Sequence, residues 1–238
     1  MTFGVAPNTR FRSQDRTPLM LSRRSLLAVL AGSALAGCNT VAPTAKKNPS
    51  LMSDPELAGW YIGYAPDEPH DIPLVDRSKI APEFNRQTVS YDGPEKPGTI
   101  VVDIDKRFLY LVQPGGAAMR YGVGVGRQGF SWKGVATVGR KGVWPNWSPT
   151  KTMVRLKPEL PRFREAGIDN PLGARALYLY QNGHDILFRI HGTNEPWSIG
   201  EQVSSGCVRM LNEDVADLYN RVPVGTTVLV KRNGHYRV

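Results

Sequence analysis

Regular alternation of apolar and polar positions begins at Gly98. Thr99-Ile100-Val101-Val102-Asp103-Ile104 and Phe108-Leu109-Tyr110-Leu111-Val112 are two β-rich runs separated by Asp105-Lys106-Arg107, which predicts a hairpin. Met119 to Val125 predicts a third strand. The runs Arg175–Tyr180 and Ile186–Ile190 flank Asn182-Gly183, a strong hairpin signal, with a loop expected to exceed two residues. Asn212 is expected to cap a short helix. Glu213 and Asp214 fall in its positive first turn, and Val215, Leu218 and Tyr219 form its apolar face. Pro223 and Gly225 stop that helix before a last strand, Thr226–Val230. The pattern predicts a mainly β domain with one or two short helices and no internal repeat.

Upstream the pattern is less regular. Residues 51–97 contain Trp60, Tyr61, Ile62 and Tyr64, but Pro55, Pro66, Pro69, Pro73, Pro82, Pro94 and Pro97 punctuate them. They predict a Pro-rich extension of short helical turns and loops packing on the main domain, with little core of its own. Phe84 to Tyr91 predicts a short lead-in strand. The segment NTVAPTAKKNPS, residues 39–50, is polar and turn-rich and reads as a flexible tether. Before it, the apolar run Leu26–Ala36 follows Arg23-Arg24; it is too short to span a bilayer and suits the centre of an export signal. Leu35-Ala36-Gly37-Cys38 resembles a lipobox, in which Cys38 becomes the lipidated first residue, and Ser22–Leu27 resembles a twin-arginine signal. The expected organisation is an export signal over 1–37, a tether over 38–50, the extension over 51–97 and a catalytic domain over 98–232.

Charge adds little to this until it is divided. Of the formal +9, residues 1–37 hold five arginines against Asp15, a net +4; the remaining 25 basic and 20 acidic residues give +5. A moderately positive body favours anionic partners such as a polyanionic wall or membrane headgroups. Nucleic acid is not expected, because the cations are scattered and no aromatic-interleaved stripe accompanies them.

Several motifs are set aside. Gly124 to Gly129 formally matches GxGxxG, but no apolar helix follows and Pro145 and Pro149 lie just beyond, so glycines around a β-turn explain it better. There is no HExxH or CxxC spacing, His70, His184 and His235 stand apart from Cys and from one another, and no metal or cofactor is expected. Two cysteines remain. With Cys38 lipidated, Cys207 is an unpaired thiol in an oxidising compartment: intermolecular, incidental or chemically used. A Cys38–Cys207 bridge is the structural alternative and requires the leader to be retained.

The constellation that carries chemistry is His191-Gly192-Thr193 with Ser204-Ser205-Gly206-Cys207-Val208-Arg209-Met210. Cys207 and His191 are 16 residues apart, so only the fold brings them together. A free thiol, with a pKa of about 8.5, is mostly protonated at neutral pH; a neighbouring imidazole takes the proton and makes the nucleophile. Gly206 permits close backbone approach, and the Gly206 and Cys207 amides are expected to face a developing oxyanion. Arg209 reads either as a clamp for a substrate carboxylate or as a charge holding the loop. Trp144 and Trp147 read either as walls of a substrate groove or as core. Spacing alone leaves a buried, inert Cys207 equally open.

The stretch from Gly98 to Val230 resembles the L,D-transpeptidase catalytic domain, the YkuD or ErfK/YbiS/YcfS/YnhG type. The resemblance rests on His191-Gly192-Thr193 and Ser204–Met210, with Trp144-Pro145-Asn146-Trp147, Asn170-Pro171-Leu172-Gly173-Ala174-Arg175 and Asn194-Glu195-Pro196-Trp197 pointing to a proteobacterial branch. It implies a β-sandwich-like fold in which Cys207 attacks the amide after meso-diaminopimelate of a tetrapeptide stem, D-alanine leaves, and an acceptor amine resolves the thioester to a 3→3 cross-link. It also implies His191 as base, the Gly192 carbonyl as its orienting group, and Ser205 at the Ser/Thr position of the motif. Many relatives carry His where Gly206 stands and Asn where Arg209 stands, so their side-chain roles do not transfer unchanged. The expected partners are peptidoglycan stem peptides in the periplasm, with membrane association through the lipid anchor. The alternatives are attachment of outer-membrane proteins to the wall through their N-termini, hydrolysis as a carboxypeptidase or endopeptidase, and a noncatalytic wall-binding lipoprotein.

Overall fold

The β-branched and aromatic runs form strands, and their alternation decides which face is buried. The computed structural model describes residues 55–127, 132–204 and 206–235. The extension opens with a single helical turn, α1 (Pro55–Ala58), and a hairpin of β1 (Tyr61–Ala65) and β2 (Ile72–Val75), followed by β3 (Gln87–Ser90). The body then runs through β4 (Ile100–Asp103), β5 (Phe108–Gln113), β6 (Ala117–Gly122), β7 (Val125–Gly126) and β8 (Gly134–Val143). After the short α2 (Lys151–Leu156) come β9 (Arg175–Gln181), β10 (His184–His191), β11 (Gln202–Ser204), β12 (Val208–Arg209), α3 (Asn212–Arg221) and β13 (Thr227–Lys231). The fold is mainly β with few short helices, as the sequence pattern predicts.

Nine strands make one sheet in the order β12-β10-β9-β8-β13-β4-β5-β6-β3. Neighbours are antiparallel except β13 with β4 and β10 with β12, which are parallel. A sheet this wide does not stay flat. Two residues beyond β6, near one edge, Gly124 exchanges both backbone hydrogen bonds with Arg209 on the opposite edge strand, at 2.9 and 2.7 Å. β7 and β11 pair alongside. The two edges are thereby tied together and the sheet closes over its interior, the sandwich-like arrangement. Only glycine fits at 124, since a Cβ there would lie 2.4 Å from the Ser198 carbonyl oxygen.

Period-two alternation fills that interior. Ile100 and Val102, Leu109 and Leu111, Leu177 and Leu179, and Val228 and Val230 point to one side and join Ile190, Val208 and Met210 in a single cluster, covered by Val215 and Leu218 of α3. The intervening Val101, Val112 and Leu229 pack on the other face with Tyr91 and Tyr110. Each fully buried aliphatic contributes about 1.5–3 kcal/mol of transfer free energy.

Three local expectations are corrected. The Asn182-Gly183 loop has two residues, because Gln181 pairs directly with His184 and both loop residues have positive φ, 51° and 78°. That is the backbone a tight hairpin needs to match the strand twist. Leu211, not Asn212, occupies the N-cap of α3, and Asn212 turns its side chain to the site described below. The extension, described from residue 55, holds a strand hairpin of β1 and β2 where short helical turns and loops are expected, and Ile72 packs with Trp144, Ile168 and Ala174, and Val75 and Ile80 with Ile199 and Leu211. Gly124 to Gly126 lie in strand pairing, which supports the rejection of a phosphate loop. The proposed leader, the tether and Cys38 lie outside the described residues. Among the described residues no helix is long and apolar enough to cross a membrane.

Candidate active site

Parallel pairing of β10 with β12 brings the two halves of the motif together. Ile190 pairs with Val208 and His191 with Arg209. Ile190 and Val208 face the core, so alternation puts Arg189, His191 and Arg209 on the opposite side. Cys207 lies one residue before β12, next to the paired edge on which β10 ends at His191.

The turn into Cys207 is closed by Ser204. Its hydroxyl donates to the Cys207 carbonyl at 2.6 Å and accepts from the Gly206 N–H at 3.2 Å. Gly206 has a φ of 136°, a region that glycine alone occupies readily. The Gly206 amide is thus engaged within the turn, which corrects the expectation that it faces an oxyanion. Ser205 lies outside the described residues. Cys207 is half-buried and its sulfur donates to the Leu187 carbonyl at 3.9 Å. Burial pushes the thiol up; Arg189, through its backbone N–H and its charge, and then Arg209 act in the opposite direction.

His191 ends β10 and is 6% exposed. Its Nδ1 lies 2.6 Å from the Gly192 carbonyl. A carbonyl only accepts, so Nδ1 carries the proton and Nε2 is left as the acceptor. Burial first, then the Arg209 and Arg189 charges, push the imidazole down to about 3, against the Gly192 and Pro171 carbonyls. The ring is neutral at physiological pH. Beyond it, Asn212 Nδ2 donates to the Thr193 carbonyl at 2.9 Å, and its Oδ1 accepts from the Ala174 N–H at 3.0 Å. Sequence reading assigned Asn212 to a helix cap and missed this tie.

The remaining site residues separate into two groups. Arg209 is ion-paired with Glu195 and so braces the loop of residues 194–199. Trp144 and Trp147 are interior, 3% and 8% exposed, and line no open groove. Trp144 Nε1 donates to Asp67 at 2.8 Å, and Asp67 also takes two hydrogen bonds from the Arg175 guanidinium, at 2.7 and 2.6 Å. Aromatic rings in a β domain fill the core more often than they line a groove, and Asp67 and Ile72 of the extension cover Trp144. Among the described residues no group of His, Cys, Asp and Glu is placed to hold a metal.

Residues 97–230, more than half of the chain, match the L,D-transpeptidase catalytic domain, and the chain belongs to that family. It is 37% identical over 140 residues to the Probable L,D-transpeptidase ErfK/SrfK of Escherichia coli, covering 55% of this chain and 43% of that protein. It is 35% identical over 164 residues to the Probable L,D-transpeptidase YcfS of the same organism, covering 66% and 50%. The chain thus spans about half the length of these curated relatives. A solved structure from Brucella melitensis, described as a probable carnitine operon oxidoreductase, is 49% identical, with a TM-score of 0.44 and coverage of 63% of this chain and 96% of that one. The activity in that name is said of that protein alone.

Proposed function

We propose that the protein is a cysteine-dependent L,D-transpeptidase that forms 3→3 cross-links between peptidoglycan stems. The observation that supports this reading is the parallel pairing of β10 with β12, which sets His191 beside Arg209, two residues past Cys207. Cys207 Sγ attacks the carbonyl after meso-diaminopimelate; its proton goes to His191 Nε2 and the carbonyl oxygen takes up negative charge. The Cys207 amide N–H is the backbone donor proposed for that oxyanion. Collapse breaks the C–N bond, the proton returns to the departing D-alanine amine, and a thioester remains. An acceptor amine then attacks the thioester, loses its proton to His191 and releases the thiol.

The family identity and the Nδ1 contact with Gly192 support His191 in this role, since the contact leaves Nε2 free of the ring proton. Ser204, Gly206 and Gly192 act by shape, setting the turn and the imidazole. The leader over 1–37 and a lipidated Cys38 complete the proposal, placing the enzyme in the periplasm on a lipid anchor.

The test incubates the purified protein with disaccharide-tetrapeptide and resolves the products by mass spectrometry. Dimers that have lost D-alanine are expected. Tripeptide alone would indicate hydrolysis, and unchanged turnover in Cys207→Ala would remove the nucleophile assignment. Fractionation of cells carrying Cys38→Ser tests the anchor, with release from the membrane expected.

A further inference from the structure

Trp197 stands on the surface beside the proposed site. It is the middle residue of a single helical turn, Pro196–Ser198, between β10 and β11. Pro196 and Ser198 are buried, whereas Trp197 is 43% exposed. The turn is fixed from several sides. The Ser198 N–H and hydroxyl both donate to the Glu195 carbonyl, at 3.0 and 2.6 Å. The Glu195 N–H donates to the Thr193 hydroxyl at 3.0 Å, and its carboxylate pairs with Arg209, two residues past Cys207. The backbone under the indole is thereby set, and much of the ring is left facing solvent.

The extension supplies a second indole. Trp60 packs on the cluster of Val75, Ile80, Ile199 and Leu211, and its ring centroid lies 5.9 Å from that of Trp197, the two planes tilted by 55°. Lys79, exposed, holds its ammonium 5.5 Å from the Trp60 centroid, and the exposed Glu201 and Gln202 follow the turn. The exposed part of Trp197 amounts to roughly 100 Å². A stable protein interface needs about 800 Å² from each partner, so this platform is far too small for a second copy and suits a single ring. The face of an indole is the negative side of its quadrupole and attracts weakly positive C–H bonds. A pyranose offers such bonds on its faces, with hydroxyl and acetamide groups around its rim that pair with an ammonium or an indole N–H.

We propose that Trp197, flanked by Trp60, is a sugar-binding platform that holds an N-acetylated pyranose of a glycan strand while a stem of that strand lies at Cys207. The proposal rests on the reading of the substrate as peptidoglycan, whose stems are carried on such strands. Contacts to a remote part of a substrate position the part that reacts. The loop between His191 and Cys207 would then read the glycan through Trp197, and the extension would take part in binding through Trp60 as well as in packing.

The test titrates the purified full chain by calorimetry with a chitin tetrasaccharide, which carries N-acetylated pyranoses and no stems, and separately with the sugar-free tetrapeptide. The wild type should bind the tetrasaccharide. Trp197→Ala should weaken that binding about tenfold, the scale of losing one aromatic anchor, and Trp197→Phe should recover part of it. Trp60→Leu, which keeps an apolar side chain on the Val75 cluster, should weaken it as well. No binding by the wild type, or wild-type affinity in either Trp197→Ala or Trp60→Leu, overturns the proposal. Trp197-dependent binding of the tetrapeptide in place of the tetrasaccharide also overturns it and makes the pair a peptide site. A sedimentation mass that rises with concentration and falls back in Trp197→Ala overturns it in favour of a contact between copies. The titration involves no acyl transfer, so the assignment of Cys207 as nucleophile is judged separately by Cys207→Ala turnover.

Discussion

Gly192 and Asn212 are fitted against one another: a Cβ on residue 192 would lie 2.2 Å from the Asn212 carboxamide oxygen. Gly173, with a φ of 60°, leaves the same space from the other side, where a Cβ would come within 2.0 Å of that oxygen. The two missing side chains admit one amide from α3. That amide joins Ala174, ahead of β9, to Thr193, beyond His191. The turn that orients the imidazole is thereby held by a residue on a different element.

Truncating that amide should be costly. Asn212→Ala leaves the Ala174 N–H and the Thr193 carbonyl without their partner in a buried site, a loss of about 2–4 kcal/mol. Gly192→Ala should cost about 1–3 kcal/mol by crowding. The double variant should cost clearly less than the sum, because alanine at 212 vacates the space that the new methyl needs. Urea denaturation of the four proteins checks this; strict additivity would show that the two residues do not touch.

The Asp67 carboxylate links the extension to the body. Burial raises it, yet the hydrogen bonds from Arg175 and Trp144 outweigh that and hold it below the usual carboxylate range. Asp67→Ala would strand a largely buried guanidinium, a change that costs about 3–5 kcal/mol. The expected result is lower stability together with faster proteolysis within residues 55–80. Unchanged cleavage would show that the apolar contacts of Ile72 and Val75 hold the extension without this pair.

Local alternation made much of the body legible. The hairpin around Asp105-Lys106-Arg107, the helix after Leu211 and the final strand could be read because each depends on residues a few positions apart. β8 could not, since Gly134, Gly139 and Gly142 dilute its pattern and Arg140 and Lys141 look like solvent-facing charges. In the fold those two cations lie over the Tyr178 and Tyr219 rings. Trp144 could be read as groove or core because its partner, Asp67, is 77 residues away. Cys207 and His191 were legible as a motif, whereas their juxtaposition depends on parallel pairing at a sheet edge. The bulge in β10 between Asp185 and Arg189, where Leu187 has a φ of 58°, leaves no mark in residue types, because leucine is a poor signal for positive φ.

Acid stability should report on His191. Its folded pKa, about 3, lies below the ordinary histidine value of 6.5. Above 6.5 both folded and unfolded forms are neutral and the full contribution is present. As pH falls from 6.5 towards 3 the unfolded chain binds the proton first, and stability is lost. The slope from this one group is on the order of 1 kcal/mol per pH unit. Other groups titrate in the same window, so the comparison is between wild type and His191→Gln. The variant's curve should be flatter between pH 6 and 4, and parallel curves would contradict a buried neutral ring.

The Gly206 turn separates shape from chemistry. A φ of 136° is open to glycine and costs other residues about 1–3 kcal/mol. Gly206→Ala must either carry that strain or relax it by rotating the backbone, which moves the adjacent Cys207. A displacement of about 1 Å at a reacting atom lowers rates by about 100-fold. Ser204→Ala acts on the same turn from the other side, removing the hydroxyl that bridges Gly206 and Cys207 without forcing φ. Both variants should therefore lower acyl-transfer turnover, with the alanine at 206 the more damaging, while Cys207 remains open to alkylation in each. Full turnover at saturating substrate in Gly206→Ala, with only a reduced melting temperature, would mean that the turn supports the fold and does not aim the sulfur.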